Sequence, residues 1–261
     1  IYYLTYVAYD GKEAKVAYVT SSDLVTFTKH GLISPTISYQ EVMSIFESLP
    51  IDPEYLYFAK FFLDTGGAAS CLIEKNAMLF PKKINGKFAM LHRVHPGIQM
   101  ILFDDFSELT DDFWRIHLKQ LDTWIVLEPT YPWEGQNIGA GPPPIETKAG
   151  WLLLYNCRYQ AQGKRSFTET TDLSYAVGVA LLDRNDPTKV LSRLPEPLFV
   201  PKEEWEKVGR VDNVVFATGT YMDGDRLYIL YGAADRCIGA KSLLLSDLLF
   251  ALKAEAKGPA F

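Results

Sequence analysis

Several absences narrow the reading of this 261-residue chain before any motif is considered. Its three cysteines, Cys71, Cys157 and Cys237, are odd in number, far apart and never in a CxxC pair. A complete disulfide framework is therefore excluded, and the three read as buried free thiols. No apolar run approaches the ~20 residues that a membrane-spanning helix needs. Basic stretches with interleaved aromatics are missing, and the formal net charge is −6, so nucleic acid is not the expected partner. Neither an HExxH nor an EF-hand phrase is present, and His92 and His95 have no third ligand at metal spacing, so no metal site is expected. A GxSxG phrase is also lacking, which removes the serine-hydrolase elbow. Gly139-Ala140-Gly141 has the look of a nucleotide loop. The following Pro142-Pro143-Pro144, however, removes the amide donors such a loop offers to phosphate and blocks the helix that should follow. No organic cofactor is implied.

Aromatic residues, by contrast, are plentiful: 15 Tyr, 15 Phe and 5 Trp, 13% of the chain. They suit β-strands, and they suit clefts where ring faces pack on the C–H surfaces of pyranoses. One unit recurs four times: a Gly-containing turn, an aromatic-rich strand, a second apolar strand, then an acidic or Ser-Asp turn. Its copies pair Ile1–Tyr9 with Ala14–Thr20, Asn85–Arg93 with Ile98–Phe103, Ala149–Asn156 with Ala176–Leu182, and Asp223–Tyr231 with Ile238–Leu245. Asn-Gly and Asp-Gly favour tight hairpins, because Gly accepts positive φ without a Cβ clash. A sandwich would not require the same two-strand phrase to return four times, so the repeat predicts an all-β fold of propeller blades.

Uneven spacing between the copies locates insertions. Residues 36–70 lack the repeat, and the apolar residues of Gln40–Ser48 (Val42, Met43, Ile45, Phe46) follow a helical period, so this insert is expected to be partly helical. Asp111–Lys119 reads as a second short helix. Tyr159–Ser174, rich in Thr, Gln, Ser and Lys, reads as a long hairpin excursion or loop, the kind of segment on which specificity is commonly placed.

Four ordered phrases carry a family resemblance: Asn76–Arg93, Ile138-Gly-Ala-Gly-Pro-Pro-Pro-Ile145, Asn213-Val-Val-Phe216 and Tyr231-Gly-Ala-Ala-Asp235. Together they resemble glycoside hydrolase family 130, which contains β-mannoside phosphorylases and β-1,2-mannosidases, and the resemblance runs from Ile1 to about Leu252. It implies a five-bladed β-propeller forming one catalytic domain over residues 1–261, incomplete at its N-terminal blade. It also implies a manno-oligosaccharide or mannosylated glycan as partner. The family's general acid is an Asp in a Glu-Asp-Pro-Arg phrase just before a strand resembling Tyr2–Tyr6, so the resemblance places that residue upstream of Ile1.

The family's phosphorylases hold inorganic phosphate, their co-substrate, with several cations, since a dianion demands charge-assisted donors. By resemblance, Lys75-Asn76 occupies the first phosphate position, with Lys for Arg, and Arg93 the second. Asn137 stands at the third in place of Lys, and Asn156 at the fourth in place of His. Tyr175 is a candidate to contact phosphate or a nucleophilic water, with core packing as its alternative. Asp235 resembles the family's Asp that bonds sugar hydroxyls, or else caps its turn. His95 is a rim candidate, and Asp10 is explained by its Asp-Gly turn. Each lost charge-assisted bond removes about 1.5–3 kcal/mol, so the two neutral positions favour hydrolysis over phosphorolysis. Hydrolysis by inversion needs a carboxylate base opposite the acid. Glu134, beside the altered third position, and Glu169, in the Tyr159–Ser174 loop, are the candidates, each with a plain loop carboxylate as its alternative. Phosphorolysis would release α-mannose 1-phosphate. A non-catalytic carbohydrate-binding propeller is the remaining alternative.

Overall fold

A computed structural model describes residues 1–11, 13–67, 70–160 and 173–256. The chain divides into two compact units, Ile1–Ile125 and Val126–Phe261. It is mostly β-structure with a few short helices.

The first unit opens with strands β1 (Tyr2–Tyr9), β2 (Ala14–Ser21) and β3 (Thr28–Leu32), an antiparallel meander in that order. Helices α1 (Tyr39–Phe46) and α2 (Pro53–Gly66) follow, so the insert at 36–70 is helical in large part. Ser38 caps α1 by accepting from the Glu41 N–H at 3.2 Å, and Asp52 caps α2 by accepting from the Glu54 N–H at 2.8 Å; each satisfies a donor that the helix start leaves open. Strands β4 (Met78–Leu79), β5 (Phe88–His92) and β6 (Ile98–Phe103) form the second meander. The Asn85-Gly86 turn joins β4 to β5 with φ of 51° and 82°, the left-handed pair that a tight hairpin requires. Helix α3 (Asp111–Leu118) matches the second helical segment read from the sequence, and α4 (Leu121–Trp124) is a single turn. The core of this unit gathers Val42, Phe46, Tyr55, Phe103, Trp114 and Leu118. The Trp114 indole N–H donates to the Ile33 carbonyl at 2.9 Å, so its ring is buried without an orphaned donor.

Short strand β7 (Ile125–Leu127) carries the chain onward. The second unit contains β8 (Asn137–Ala140), β9 (Ile145–Thr147), β10 (Gly150–Gln160), β11 (Leu173–Leu182) and β12 (Val190–Arg193). Strands β9 to β12 form one sheet in the order β12-β11-β10-β9. The triple proline links β8 to β9. A helical turn, α5 (Glu204–Lys207), precedes the last meander of β13 (Val215–Asp223), β14 (Arg226–Ala233) and β15 (Cys237–Leu244), and α6 (Leu245–Ala256) follows. In β14 the residues alternate, Leu227, Ile229, Tyr231 and Ala233 all facing the core, the period-2 pattern of a one-sided strand. Leu152, Leu154, Val177 and Val179 join them there, with Leu248 and Leu252 from α6.

All four two-strand repeats are antiparallel hairpins in continuous register, β1–β2, β5–β6, β10–β11 and β14–β15. The thiols depart from expectation: Cys157 is buried, Cys71 half-buried and Cys237 exposed, all three free. Cys237 sits just past a tight turn on an edge strand, where neighbours cannot cover it. The Tyr159–Ser174 segment is strand at both ends, and residues 161–172 lie outside the described residues.

Candidate functional site

In the first unit the candidate residues converge on a buried carboxyl group, Glu74, which is 1% exposed. Its Oε1 accepts from the backbone N–H of Asn76 at 3.2 Å, and both oxygens accept from the backbone N–H of Arg93 at 3.2 Å. Lys75-Asn76 and Arg93, 18 residues apart in sequence, are thus held on one side chain. His92 Nδ1 lies 3.1 Å from Glu74 Oε2, and His92 Nε2 lies 2.8 Å from His117 Nε2 on α3. Burial pushes Glu74 up to about 8, against the pull of the Arg93 charge, and burial lowers His92 to about 3. His117 is lowered too, by burial and by its neighbour His92. Both partners therefore favour their neutral forms, and a neutral carboxyl O–H donating to His92 Nδ1 fits the geometry. The His92 ring proton then sits on Nε2 and is donated to His117 Nε2.

Around this core, Lys75 is exposed and lines a cavity of about 510 Å³ with Lys15, Tyr39, Cys71 and Tyr9. Asn76 is buried and Arg93 half-buried. His95 stacks on Phe58 and lies against Phe62 of α2, with ring centroids 5.3 and 5.1 Å away. Burial and the charges of Arg93 and Lys75 hold its pKa well below the usual imidazole value. Asp10 Oδ1 accepts from the Glu13 N–H at 2.8 Å, so it closes the β1–β2 turn as its Asp-Gly context suggests.

In the second unit Glu134 corrects an expectation. It is fully buried at the end of a 3₁₀ turn (Pro132–Glu134). Its Oε2 accepts from the N–H groups of Thr130 and Tyr131 at 2.7 and 2.9 Å, and its Oε1 accepts from the Tyr155 hydroxyl at 2.6 Å and from the Arg193 guanidinium. A carboxylate with every lone-pair direction engaged and no exposed face has no room to activate water, so the base role does not fit it. The same device occurs again at Glu206. There Oε2 accepts from Lys202 and Glu203 N–H at 2.6 and 3.0 Å, and Oε1 accepts from the Tyr231 hydroxyl at 2.5 Å and the Lys241 ammonium at 2.7 Å. Burial alone would raise the Glu206 pKa, but these bonds outweigh it and hold it down to about 2.

The two copies agree in detail. Trp133 stacks on Tyr155 at 6.2 Å, and Trp205 on Tyr231 at 6.0 Å. Tyr155 faces Gly178 across β10–β11, and Tyr231 faces Gly239 across β14–β15. A Cβ at Gly178 would lie 2.1 Å from the Tyr155 ring, and one at Gly239 would lie 2.6 Å from the Tyr231 ring. The two Trp-Glu dipeptides, each followed by a Tyr on the central strand, were the sequence signal for this device.

Of the remaining candidates, Asn156 is buried and bonded at both ends to one residue: its amide donates to the Ala217 carbonyl at 3.1 Å and its Oδ1 accepts from the Ala217 N–H at 2.7 Å. It ties β10 to β13. Asn137 is half-buried at the start of β8. Tyr175 is half-buried, opposite Arg158 in the sheet and edge-on to Phe216 at 6.4 Å. Asp235 is exposed in the β14–β15 turn, with φ of 48°. Glu169 lies outside the described residues. Among the described residues no group of three His, Cys, Asp or Glu side chains is arranged to hold a metal, and no helix is long and apolar enough to cross a membrane.

The family model described as beta-1,4-mannooligosaccharide phosphorylase matches residues 1–253. The chain belongs to glycoside hydrolase family 130. A 1,2-beta-oligomannan phosphorylase of Thermoanaerobacter sp. (strain X514) is 38% identical over 67% of this chain and 52% of its own length. A beta-1,4-mannooligosaccharide phosphorylase of Ruminococcus albus is 33% identical over 70% of this chain and 51% of its own. A solved structure described with family members that are glycoside hydrolases targeting beta-1,2 mannosidic linkages in Candida mannan superposes with a TM-score of 0.64. It is 27% identical and matches 94% of this chain and 62% of that one. The chain spans about half the length of the curated relatives it matches.

Proposed function

We propose that the protein carrying this chain is an inverting enzyme that cleaves β-mannosidic bonds in manno-oligosaccharides, with water as the preferred nucleophile. In this reading the four meanders belong to a five-bladed propeller. Family membership supports the mannoside, and the relatives' printed names point to 1,2- and 1,4-linked substrates. The observation that carries the preference for water is Asn156. It is uncharged, and both its Nδ2 and its Oδ1 are held by the Ala217 backbone, so a phosphate would find no charge-assisted bond there. Asn137 is equally without charge. With Glu134 engaged in the interior, Glu169 is the carboxylate proposed to activate water. Asp235, exposed at a turn, suits sugar hydroxyls. No metal or organic cofactor enters the proposed reaction.

A second reading, phosphorolysis with inorganic phosphate as co-substrate, is favoured by Lys75 and Arg93 standing on one buried anchor and by the phosphorylase names of the relatives. The two separate cleanly. The full-length gene product is incubated with β-1,2- and β-1,4-mannobiose, with and without inorganic phosphate. Free mannose at the same rate in both conditions supports hydrolysis. Mannose 1-phosphate formed only with phosphate overturns it in favour of the second reading. Mannobiose bound but never cleaved overturns both and leaves a carbohydrate-binding propeller.

A further inference from the structure

We propose that Glu74 is the positioning residue of the first unit's half of the site, its carboxyl group fixing the backbones of Lys75-Asn76 and Arg93 together so that the two cations are presented from one rigid anchor. The inference rests on the reading that Lys75 and Arg93 touch the ligand, whether sugar or phosphate.

Three observations lead to it. Glu74 is the point where two separate stretches of chain meet, through bonds to the N–H groups of Asn76 and Arg93. These segments are irregular, Lys75 preceding the two-residue β4 and Arg93 following the end of β5, so no sheet ladder holds them in place. The carboxyl is itself held from behind by His92, and His92 by His117, while the His92 ring packs edge-on against Trp114 at 5.0 Å. The anchor is therefore tied into the α3 side of the core and cannot rotate without breaking a buried chain of hydrogen bonds. Supporting shells of this kind decide whether a binding group sits where the ligand needs it.

The charge state of the anchor matters for what it presents. The groups that face it are His92 from β5, Arg93 and Lys75 beside it, and Tyr39 from α1; His117 from α3 stands behind His92, and His95, held neutral by burial and by the charges of Arg93 and Lys75, brings no charge of its own. The Arg93 charge acts on Glu74, and a neutral Glu74 offers no charge to hold it. An ionised Glu74 competes for it. Ligand affinity should accordingly weaken as pH rises through the Glu74 pKa of about 8.

The test uses the full-length gene product, β-1,2-mannobiose as substrate and saturating inorganic phosphate. For E74A we expect KM to rise about tenfold or more with a smaller change in kcat, the split of lost ground-state positioning. E74Q keeps an oxygen for the backbone N–H groups and an NH₂ for His92 Nδ1, so KM should return to within about threefold of wild type. Because Gln does not ionise, the alkaline rise of KM near pH 8 should vanish in E74Q, a change that a merely structural role would not produce. E74Q with the wild-type alkaline rise intact overturns the proposal, even if E74A fails to fold. R93A impaired beside a folded E74A with wild-type KM overturns the role of Glu74 alone. R93A and K75A both matching wild type overturn the reading of the half-site, and this inference with it.

Discussion

Glu134 and Glu206 have the same chemistry as the carboxylates that perform catalysis, yet each is closed in by two backbone donors, a tyrosine hydroxyl and a cation. Their worth should appear in stability rather than turnover. Y155F removes one donor from a buried carboxylate and should lower unfolding stability by about 1–3 kcal/mol in a urea titration. R193A leaves that carboxylate without its cation and should cost more, about 3–5 kcal/mol. E134Q should reduce the melting temperature while turnover per folded molecule persists; lost turnover in a fully folded E134Q would restore the base assignment. The histidine pair makes a prediction of opposite sign to that of Glu74. His92 and His117 have folded-state pKa values below the unfolded value, so their contribution is present above about pH 6.5 and is lost as pH falls below it. Glu74 is raised, so its contribution is full below about pH 4.5 and lost as pH climbs through about 8. Between pH 7 and 5 the two effects oppose each other, so thermal melts read the histidine loss as a difference: H117Q, which keeps a partner for His92 but does not titrate, should lose less stability on acidification than the wild type.

At the scale of the element, the hairpin is the unit that repeats, and its turns carry local requirements. Gly86, at φ of 82° between β4 and β5, occupies a region that a Cβ disfavours, so G86A should destabilise by about 1–2 kcal/mol although nothing crowds the position. G178A is a different case, because the added Cβ meets the Tyr155 ring. A fold-wide loss is expected there, and pairing it with Y155L should recover part of the loss, since the clash is with the ring. Both are measured by equilibrium unfolding. Asn156 acts between elements, bridging β10 and β13 through Ala217, which explains why an uncharged residue serves there.

For the molecule as a whole, the proposed single displacement makes a stereochemical prediction. Proton NMR taken during the first turnovers should show α-mannose, or α-mannose 1-phosphate, ahead of mutarotation. The β-anomer appearing first would contradict the inverting mechanism and the family reading of the carboxylates together.

The four hairpins were legible in the sequence because strand alternation and Gly turns are local: Phe88–His92 and Ile98–Phe103 announce themselves within a few residues of each other. The helical period of Gln40–Ser48 was legible for the same reason, as were the Asp10 turn and the ordered phrases that carry the family. What the sequence could not decide was whether Glu134 is engaged. Glu134 and Glu169 look alike as loop residues, and only folding reveals that four donors scattered from Thr130 to Arg193 close on Glu134. Asn156 likewise reads as a lost cation until Ala217, 61 residues away, claims its amide. Glu74 is silent in the sequence, because its importance lies in the backbone N–H of Arg93 and the rings of His92 and His117, which no spacing rule connects. Burial and long-range hydrogen bonding belong to the three-dimensional arrangement, and they make structural anchors of carboxylates that the sequence alone leaves as loop residues.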